Sequence, residues 1–418
     1  MRLLHVVPTY APAWRHGGTI ASVHGLCKAL AARGHEVTVY TTDVHGDATL
    51  AVRLAQPVPL DGVTVWYFPV TAPRRLYRSP LLAAALAGDG RATAPAAPPP
   101  AAAGFDLVHL HSVFLWPTTI AARAAERAGV PYLVSPRGML VGDLLRRRGR
   151  LRKTLWLRLV ERRTLARAAV LHATSELEAE EAARLGRELG LRLPPVRVVG
   201  NGVEPEPWDP AREPELSPPV RAALARRPLL LFLGRVSWKK GLDRLVAALA
   251  EIPGATLAIA GNDEEGYGAH LDRLAAAAGI GGRIVRLGPV RGADKAGLLC
   301  SADALVLPSY SENFGNVVLE AMAAGLPVAV TPEVGLAGAV REVGAGVVAE
   351  GDPPRLAAAL RGLLADAPGR RAMGRRGAAA AAGRFSWATA AAGMEEVYAE
   401  ILASRRDGRP AATGDPAA

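Results

Sequence analysis

Short apolar runs recur along the whole chain, each closed by a glycine- or proline-bearing loop and followed by a helical pattern. Leu3 to Val7, His35 to Thr41, Val63 to Val70, Asp106 to His111, Val130 to Ser135, Ala169 to Ala173 and Val196 to Val199 are such runs. Strands that alternate with helices form a mainly parallel sheet covered on both faces, the doubly wound α/β arrangement. The alternation stops once, between Glu204 and Pro219, where proline and acidic residues dominate. It restarts at Leu229 to Leu233 and continues through Ala255 to Ala260, Arg283 to Leu287, Ala304 to Leu307, Pro327 to Thr331 and Gly346 to Ala349. The pattern predicts an α/β chain of two Rossmann-like doubly wound domains. They are 1–203 and 228–384, joined by a linker at 204–227 and followed by a helix at 385–404 and a disordered tail at 405–418. Gly88 to Gly104, rich in alanine, proline and glycine, reads as a flexible surface insertion.

A chain of 418 residues, half of them apolar, can bury two cores of ordinary size. Its formal charge of +11 favours anionic partners, whether phosphorylated small molecules, a membrane surface or nucleic acid. No helix-turn-helix, zinc-finger or RNP pattern is present, which leaves nucleic acid with charge alone in its favour. Leu144 to Arg163 interleaves cations with Leu, Trp156 and Val160. It is either an interfacial segment for an anionic membrane or the solvated basic face of a core helix. No apolar run reaches the ~18 to 20 residues of a spanning helix, and the N-terminal run is too short for a signal peptide. Cys27 and Cys300 lie far apart in apolar helical patterns and read as small core residues in a reducing compartment. A cytoplasmic protein, with a peripheral position at the inner membrane face to be tested, is the expectation.

Chemistry concentrates after the run Ala304 to Leu307. Glu312 and Asn313-Phe314-Gly315 fall in a strand-to-helix loop, and Glu320 falls about one turn into the helix. Free N–H groups at a helix start suit an anion such as pyrophosphate. A glutamate placed like Glu320 can accept two hydrogen bonds from a ribose diol. A plainer reading has Glu312 cap the helix and Glu320 face solvent. Arg235 and Lys240 in G-R-V-S-W-K-K-G follow another strand and offer a phosphate fork and a mobile charge. Together they can offset a diphosphate's charge and stabilise it as a leaving group. Near the N-terminus, Gly17-Gly18 opens a helix after the first strand. His109 and His111 share one side of their strand, and His111, nearer its carboxyl end, is a candidate sugar contact. The pair lacks a third metal ligand nearby in sequence. Arg137 and Gly138 belong to the same rim, and Ser175 with Glu178 fits a capping box. There is no Walker loop, nucleophile elbow, H-E-x-x-H or D-x-D, and Gly344 to Ala349 carries dinucleotide-fingerprint letters in front of a strand, not after one.

Glu312 and Glu320 with seven residues between them, G-R-V-S-W-K-K-G, H-L-H-S-V-F, S-P-R-G-M-L, H-A-T-S-E-x-E and S-E-N-F-G-N-V-V-L-E-A-M-A-A-G-L-P-V together resemble the retaining glycosyltransferases of family 4. The likeness spans about residues 1–400 and departs from the family at the proline-rich insertion. It implies the GT-B fold: two Rossmann-like domains facing a cleft, with the last helix crossing back to the first. It further implies that Arg235 and Lys240 bind the diphosphate, Glu320 the ribose and the backbone near Val290 the base. Glu312, Asn313, Phe314 and Gly315 would hold the donor sugar, with His111 and Gly18 completing the site. Such enzymes need no cofactor or metal beyond the nucleotide-sugar co-substrate. They transfer with retention, and the leaving phosphate is held to accept the acceptor's proton. A UDP-sugar is the favoured donor and GDP-mannose its rival. A glycan or polyprenyl-linked acceptor in bacterial polysaccharide or glycoconjugate synthesis is implied. Three other readings stand beside it: a hydrolase using Glu312 and Glu320 as paired carboxylates ~5 to 9.5 Å apart, a nucleotide-sugar epimerase, and a nucleic-acid binder.

Overall fold

Apolar runs too short to be stable alone become strands because parallel neighbours satisfy their backbones on both sides. The computed structural model describes residues 1–14, 17–72, 74–89, 98–140, 155–205, 209, 211, 215–263 and 265–406. Part of the proline-rich insertion, most of the basic stretch, part of the expected linker and nearly all of the tail lie outside the described residues. The chain forms two units: Met1–Asn201 with the chain from Trp387 onward, and Gly202–Ser386.

The first unit contains β1 (Arg2–Val6), β2 (Glu36–Thr42), the two-residue strands β3 (Val44–His45) and β4 (Ala48–Thr49), β5 (Pro57–Leu60), β6 (Val63–Phe68), β7 (Leu107–His111), β8 (Tyr132–Ser135), β9 (Leu171–Ala173) and β10 (Val196–Val198). Its main sheet has the order β10-β9-β8-β7-β1-β2-β6-β5. All neighbours are parallel except β5, which runs antiparallel to β6 at the edge. The strand pattern gives no sign of β5, because Pro57 and Pro59 break it. An edge strand tolerates them, since it needs only one of its two hydrogen-bonding sides.

Helix Trp387–Arg406 belongs to this unit and packs on helix Gly18–Ala32. Gly25 permits the approach: a Cβ there would lie 2.3 Å from the Trp387 indole. Glu395 receives Arg33 at 2.6 and 2.7 Å and His35 at 2.7 Å. Tyr398 is fully buried beneath the sheet.

The second unit contains β11 (Leu229–Leu233), β12 (Thr256–Ala260), β13 (Ile284–Gly288), β14 (Ala304–Leu307), β15 (Val328–Val330) and β16 (Gly346–Val348), in the all-parallel order β13-β12-β11-β14-β15-β16. Within the expected linker, Pro218–Leu224 is a helix started by two prolines, and Val220 is buried in this unit's core. Cys27 is buried, but Cys300 is exposed, contrary to expectation. Helix Gly292–Ser301 buries Ala296, Gly297, Leu298 and Leu299, and Cys300 falls past the edge of that face.

Each sheet reverses its winding direction once, between β1 and β7 in the first unit and between β11 and β14 in the second. Loops leaving the carboxyl ends of such a pair diverge to opposite faces and leave a crevice where α/β sheets bind ligands.

Candidate functional site

In the second unit the two loops at the reversal carry the acids and bases singled out by the sequence. The loop after β11 holds Arg235 and a short turn, Trp238–Lys240, ended by Gly241. Gly241 has φ 63°, and a Cβ there would meet the Pro308 carbonyl at 1.9 Å, so only glycine lets this loop touch the end of β14. The loop after β14 holds Glu312 to Gly315 and starts helix Asn316–Ala323. Lys240 Nζ is ion-paired with Glu312 Oε2 across the two loops, and both side chains are largely buried. Glu320 Oε1 pairs with Lys295 Nζ at 3.2 Å. The N-cap of the helix is Gly315 at φ 95°, which brings no side-chain cap, so Glu312 is not its cap.

The loops are clamped from two sides. Tyr310 N donates to Lys239 O at 2.8 Å, and Tyr310 OH donates to Asp243 Oδ2 at 2.8 Å. The Arg244 guanidinium lies 3.6 Å from the Tyr310 ring centre. On the other side Glu312 N donates to Glu333 O at 3.0 Å, and Glu312 and Phe314 carbonyls accept from Gly335 and Leu336 N–H at 2.9 and 3.1 Å. Thr331 Oγ1 donates to Ser309 O at 2.8 Å. Phe314 is buried in the core, so any ligand contact it makes is through its main chain. Asn313 lies beside it in the same loop, Val290 is half-buried after β13, and Arg235 is exposed. Arg235 makes no hydrogen bond or ion pair among the described residues.

In the first unit the candidate histidine is not on the surface. His111 has 0% exposure and lies stacked on His109, with ring centres 4.1 Å apart. Strand β1 beside β7 adds His5, whose Nδ1 lies 3.0 Å from His111 Nε2. Arg137, just past β8, donates from Nη2 to His111 Nδ1 at 3.4 Å and from Nη1 to Asn201 Oδ1 at 2.9 Å. Arginine only donates, so His111 Nδ1 is bare, its Nε2–H donates to His5 Nδ1, and His5 carries its proton on Nε2. That Nε2 is buried without an acceptor. A second chain is ordered by the Val199 carbonyl. It accepts from His172 Nε2 at 2.9 Å, His172 Nδ1 accepts from Ser135, and Ser135 accepts from His109 Nε2, both at 2.6 Å; His109 Nδ1 accepts from Tyr398 OH at 2.8 Å.

Burial, then the Arg137 charge, pushes the His5 pKa down to about 3. His172 is lowered to about 3 by the same two causes in the same order. His109 and His111 fall well below the ordinary value, by burial first and then by neighbouring histidines and Arg137. His5, His109 and His111 place ligand atoms within 4.8 Å of one another, the third ligand that sequence spacing could not supply. They do not suit a metal ion: the proton order commits each bare nitrogen to a donor, and a guanidinium stands against His111.

Gly17 at φ 73° precedes helix Gly18–Ala32, with open space around it, so its glycine serves the turn and not a close approach. The Ser175–Glu178 capping box closes on one side only. Ser175 Oγ accepts from Glu178 N at 3.1 Å, while the Glu178 carboxylate takes Thr174 N at 2.7 Å, Thr174 Oγ1 at 2.9 Å and Gly138 N at 2.7 Å. Sequence reading passes over Lys295, Tyr310, Asp243 and His5. Lys295 sits in G-A-D-K at a helix start and resembles any surface lysine; His5 lies 106 positions from its partner. Only the packing of strands and helices brings them in.

The family model described as "Glycosyl transferases group 1" matches residues 227–366, and that described as "Glycosyl transferase 4-like domain" matches residues 17–202. A D-inositol 3-phosphate glycosyltransferase of Xylanimonas cellulosilytica is 34% identical over 415 residues, 93% of this chain and 93% of its own length. Its namesake in Stackebrandtia nassauensis is 32% identical, over 96% of this chain and 91% of its own. Among solved structures, sucrose-phosphate synthase from Thermosynechococcus elongatus superposes with a TM-score of 0.71 at 21% identity, covering 97% of this chain and 100% of that one. The Anabaena protein HepE in complex with UDP-glucose gives 0.69 at 20% identity, covering 97% and 100%. At those identities the structural likeness concerns the fold.

The four buried histidines set an acid limit on the first unit. They are neutral when folded and gain protons when unfolded, so their stabilising effect is complete above pH 6.5 and is lost as the pH falls below it. At pH 5.5 each should cost about 1.4 kcal/mol relative to pH 7.5. Urea midpoints at the two pH values test this: the first unit's transition should move sharply to lower urea at pH 5.5, and an unmoved transition contradicts the assignment.

Proposed function

Because the chain belongs to the group 1 glycosyltransferases of family 4 and has their GT-B fold, we propose that it moves a hexosyl group, with retention, from a nucleotide-sugar to an acceptor hydroxyl. A UDP-sugar is the donor favoured, and no metal is required. The observation that carries this reading is the pairing of each glutamate in the second unit with its own lysine at the sheet reversal: Lys240 with Glu312 and Lys295 with Glu320. Each carboxylate is thus engaged by its own cation, whereas a hydrolase needs the two carboxyls facing one glycosidic bond.

In the transfer, the bond from the sugar's anomeric carbon to the diphosphate breaks and negative charge grows on the leaving oxygen. Arg235, Lys240 and the start of helix Asn316–Ala323 offset that charge. An ammonium has three donors, so Lys240 can hold a phosphate oxygen while keeping Glu312. Glu312, so anchored, orients the sugar hydroxyls with the main chain of Asn313, Phe314 and Gly315. The departing phosphate takes the acceptor's proton, and the new bond forms on the same face. Glu320, steadied by Lys295, accepts the ribose hydroxyls, and the main chain near Val290 meets the base. Gly18 opens the helix at the first unit's own sheet reversal. His111, wholly buried, acts through Arg137. The neighbour's complex with UDP-glucose supports the donor. The relatives' printed activity makes D-inositol 3-phosphate the first acceptor to try, ahead of glycans and polyprenyl-linked acceptors of polysaccharide or glycoconjugate synthesis.

No helix among the described residues is long and apolar enough to cross a membrane. Peripheral contact has support from the end of the basic stretch. Leu155 and Leu159, four positions apart, are 58% and 71% exposed beside Arg162, Arg163 and Arg167. Leu157 and Glu161 are buried, and Glu161 Oε1 accepts from Phe114 N at 2.8 Å and Trp156 Nε1 at 3.2 Å. An anchored turn therefore presents two leucines among cations, as an anionic surface requires.

With UDP-glucose and D-inositol 3-phosphate, Glu320→Ala should raise the donor KM about tenfold, the worth of a lost hydrogen bond to a ligand. Glu312→Ala should lower kcat about a hundredfold with little change in KM, and His111→Ala should also lower kcat. Wild-type kinetics in all three variants would remove the site assignment. In sedimentation with phosphatidylglycerol vesicles the wild type should pellet and Leu155→Ser/Leu159→Ser should stay in solution; equal behaviour argues against the membrane contact.

A further inference from the structure

Lys240 is bracketed by one short segment of the loop that carries Glu312. On one flank Lys239 O accepts from Tyr310 N at 2.8 Å. On the other, Gly241 lies so near Pro308 that a Cβ would meet the Pro308 carbonyl at 1.9 Å. The backbone of the residue between them has little freedom left. Tyr310 then ties the same segment to the chain that follows Lys240. Its hydroxyl donates to Asp243 Oδ2 at 2.8 Å, in the first turn of helix Leu242–Ala250. Its ring centre lies 3.6 Å from the Arg244 guanidinium. Arg244 Nη1 also reaches Pro308 O at 3.5 Å, and a Cβ on Gly351, past β16, would lie 2.2 Å from that Nη1.

The tie calls for tyrosine. The bond to Lys239 uses the main chain and needs no particular side chain at 310. The bond to Asp243 needs a hydroxyl, and the contact with Arg244 needs a ring. The hydroxyl keeps its proton to donate, because burial first and then the bond to Asp243 raise its pKa above the ordinary tyrosine value. Asp243 stands at a helix start, where the dipole favours an acid. It also acts on Tyr267 in the loop after β12, whose hydroxyl is pushed up to about 12 by burial first and then by Asp243. The loops after β12 and β14 thus meet at one carboxylate beside the loop after β11. A cation that offsets charge in a transition state works only from the right place, and a displacement of ~1 Å can cost about a hundredfold.

We propose that Tyr310 is a positioning residue for the transfer: through Asp243 and Arg244 it holds Lys240 against Glu312, where the leaving diphosphate needs a cation. The part in transfer rests on the glycosyltransferase reading; the holding of Lys240 does not.

The test compares the full-length wild type with Tyr310→Phe, Asp243→Ala, Asp243→Asn and the double variant Tyr310→Phe/Asp243→Ala. The readouts are kcat and donor KM with UDP-glucose and D-inositol 3-phosphate, the rate at which acetic anhydride modifies Lys240 relative to the exposed Lys28, and the melting temperature. Tyr310→Phe keeps the ring and loses the hydroxyl. It should lower kcat about tenfold and leave donor KM within about twofold. Its Lys240 should be acetylated about fivefold faster, the effect of one lost hydrogen bond. Asp243→Ala should match it, and the double variant should be no worse than either single one, since both remove the same bond. Asp243→Asn leaves an oxygen for the hydroxyl and should restore most of the turnover and the protection of Lys240. A merely structural tie would lower the melting temperature of Tyr310→Phe and leave kcat, KM and Lys240 reactivity at wild-type values; that result overturns the proposal. Additive losses in the double variant, or an Asp243→Asn as impaired as Asp243→Ala, also overturn it. Failure of the transferase reading looks different: the wild type then transfers no sugar from UDP-glucose or GDP-mannose, while Lys240 reactivity still separates it from Tyr310→Phe and upholds the holding of Lys240.

Discussion

Lys240 and Glu312 lie 72 positions apart, and their ion pair spans the two loops that leave β11 and β14. Two largely buried opposite charges in contact attract by a few kcal/mol, and the desolvation of both offsets much of that. The pair therefore contributes less to stability than to placement. It fixes a cation and a carboxylate side by side at the one point in the sheet where helices diverge. The supports around it, Tyr310 on Asp243 and Lys239, and the Thr331–Leu336 segment on Ser309 to Phe314, act on the backbone of the same loops. Under the proposed function, a diphosphate entering there would meet donors already in position, which is how a preformed site lowers the cost of stabilising charge in a transition state.

The two units solve different problems with the same topology. The second is almost wholly apolar inside, and its chemistry sits at the rim. The first buries His5, His109, His111 and His172 with Ser135 and Tyr398 under the sheet. A buried polar network is tolerable when its members are satisfied, and here the proton order satisfies all but two positions, His5 Nε2 and Arg137 Nε. The network also ties Tyr398, on the last helix, to β7 and β8, so the end of the chain helps set the interior of its beginning.

Alternating apolar runs and glycine loops made the doubly wound fold legible, because a run such as Leu229–Leu233 has no stable alternative to a strand buried on both faces. Glu312 and Glu320 were legible for a similar reason: a strand-to-helix loop has fixed geometry over so short a span. Partners distant in sequence were not. Lys295 reaches Glu320 only because adjacent helices bring them together, and His5 reaches His111 only because β1 lies beside β7. His111 read as a candidate sugar contact because it lies near the carboxyl end of its strand; what the sequence does not reveal is that it is buried against His5, His109 and Arg137. The edge strand Pro57–Leu60 escaped notice because its prolines contradict the pattern that strands elsewhere obey. Cys300 misled for the opposite reason, since an apolar neighbourhood does not say which side of the helix a residue occupies.

The central claim is that the crevice beside β11 and β14 is a nucleotide-sugar site that works without a metal. Thermal unfolding with UDP, GDP, ADP and their common sugar conjugates, in buffer with and without EDTA, tests it most directly. A ligand at ~100 times its dissociation constant adds about 2.7 kcal/mol to the stability of the state that binds it. The account predicts a clear rise in melting temperature with UDP and a UDP-sugar, unchanged by EDTA and absent with ADP. No rise with any nucleotide, or one abolished by EDTA, would contradict it.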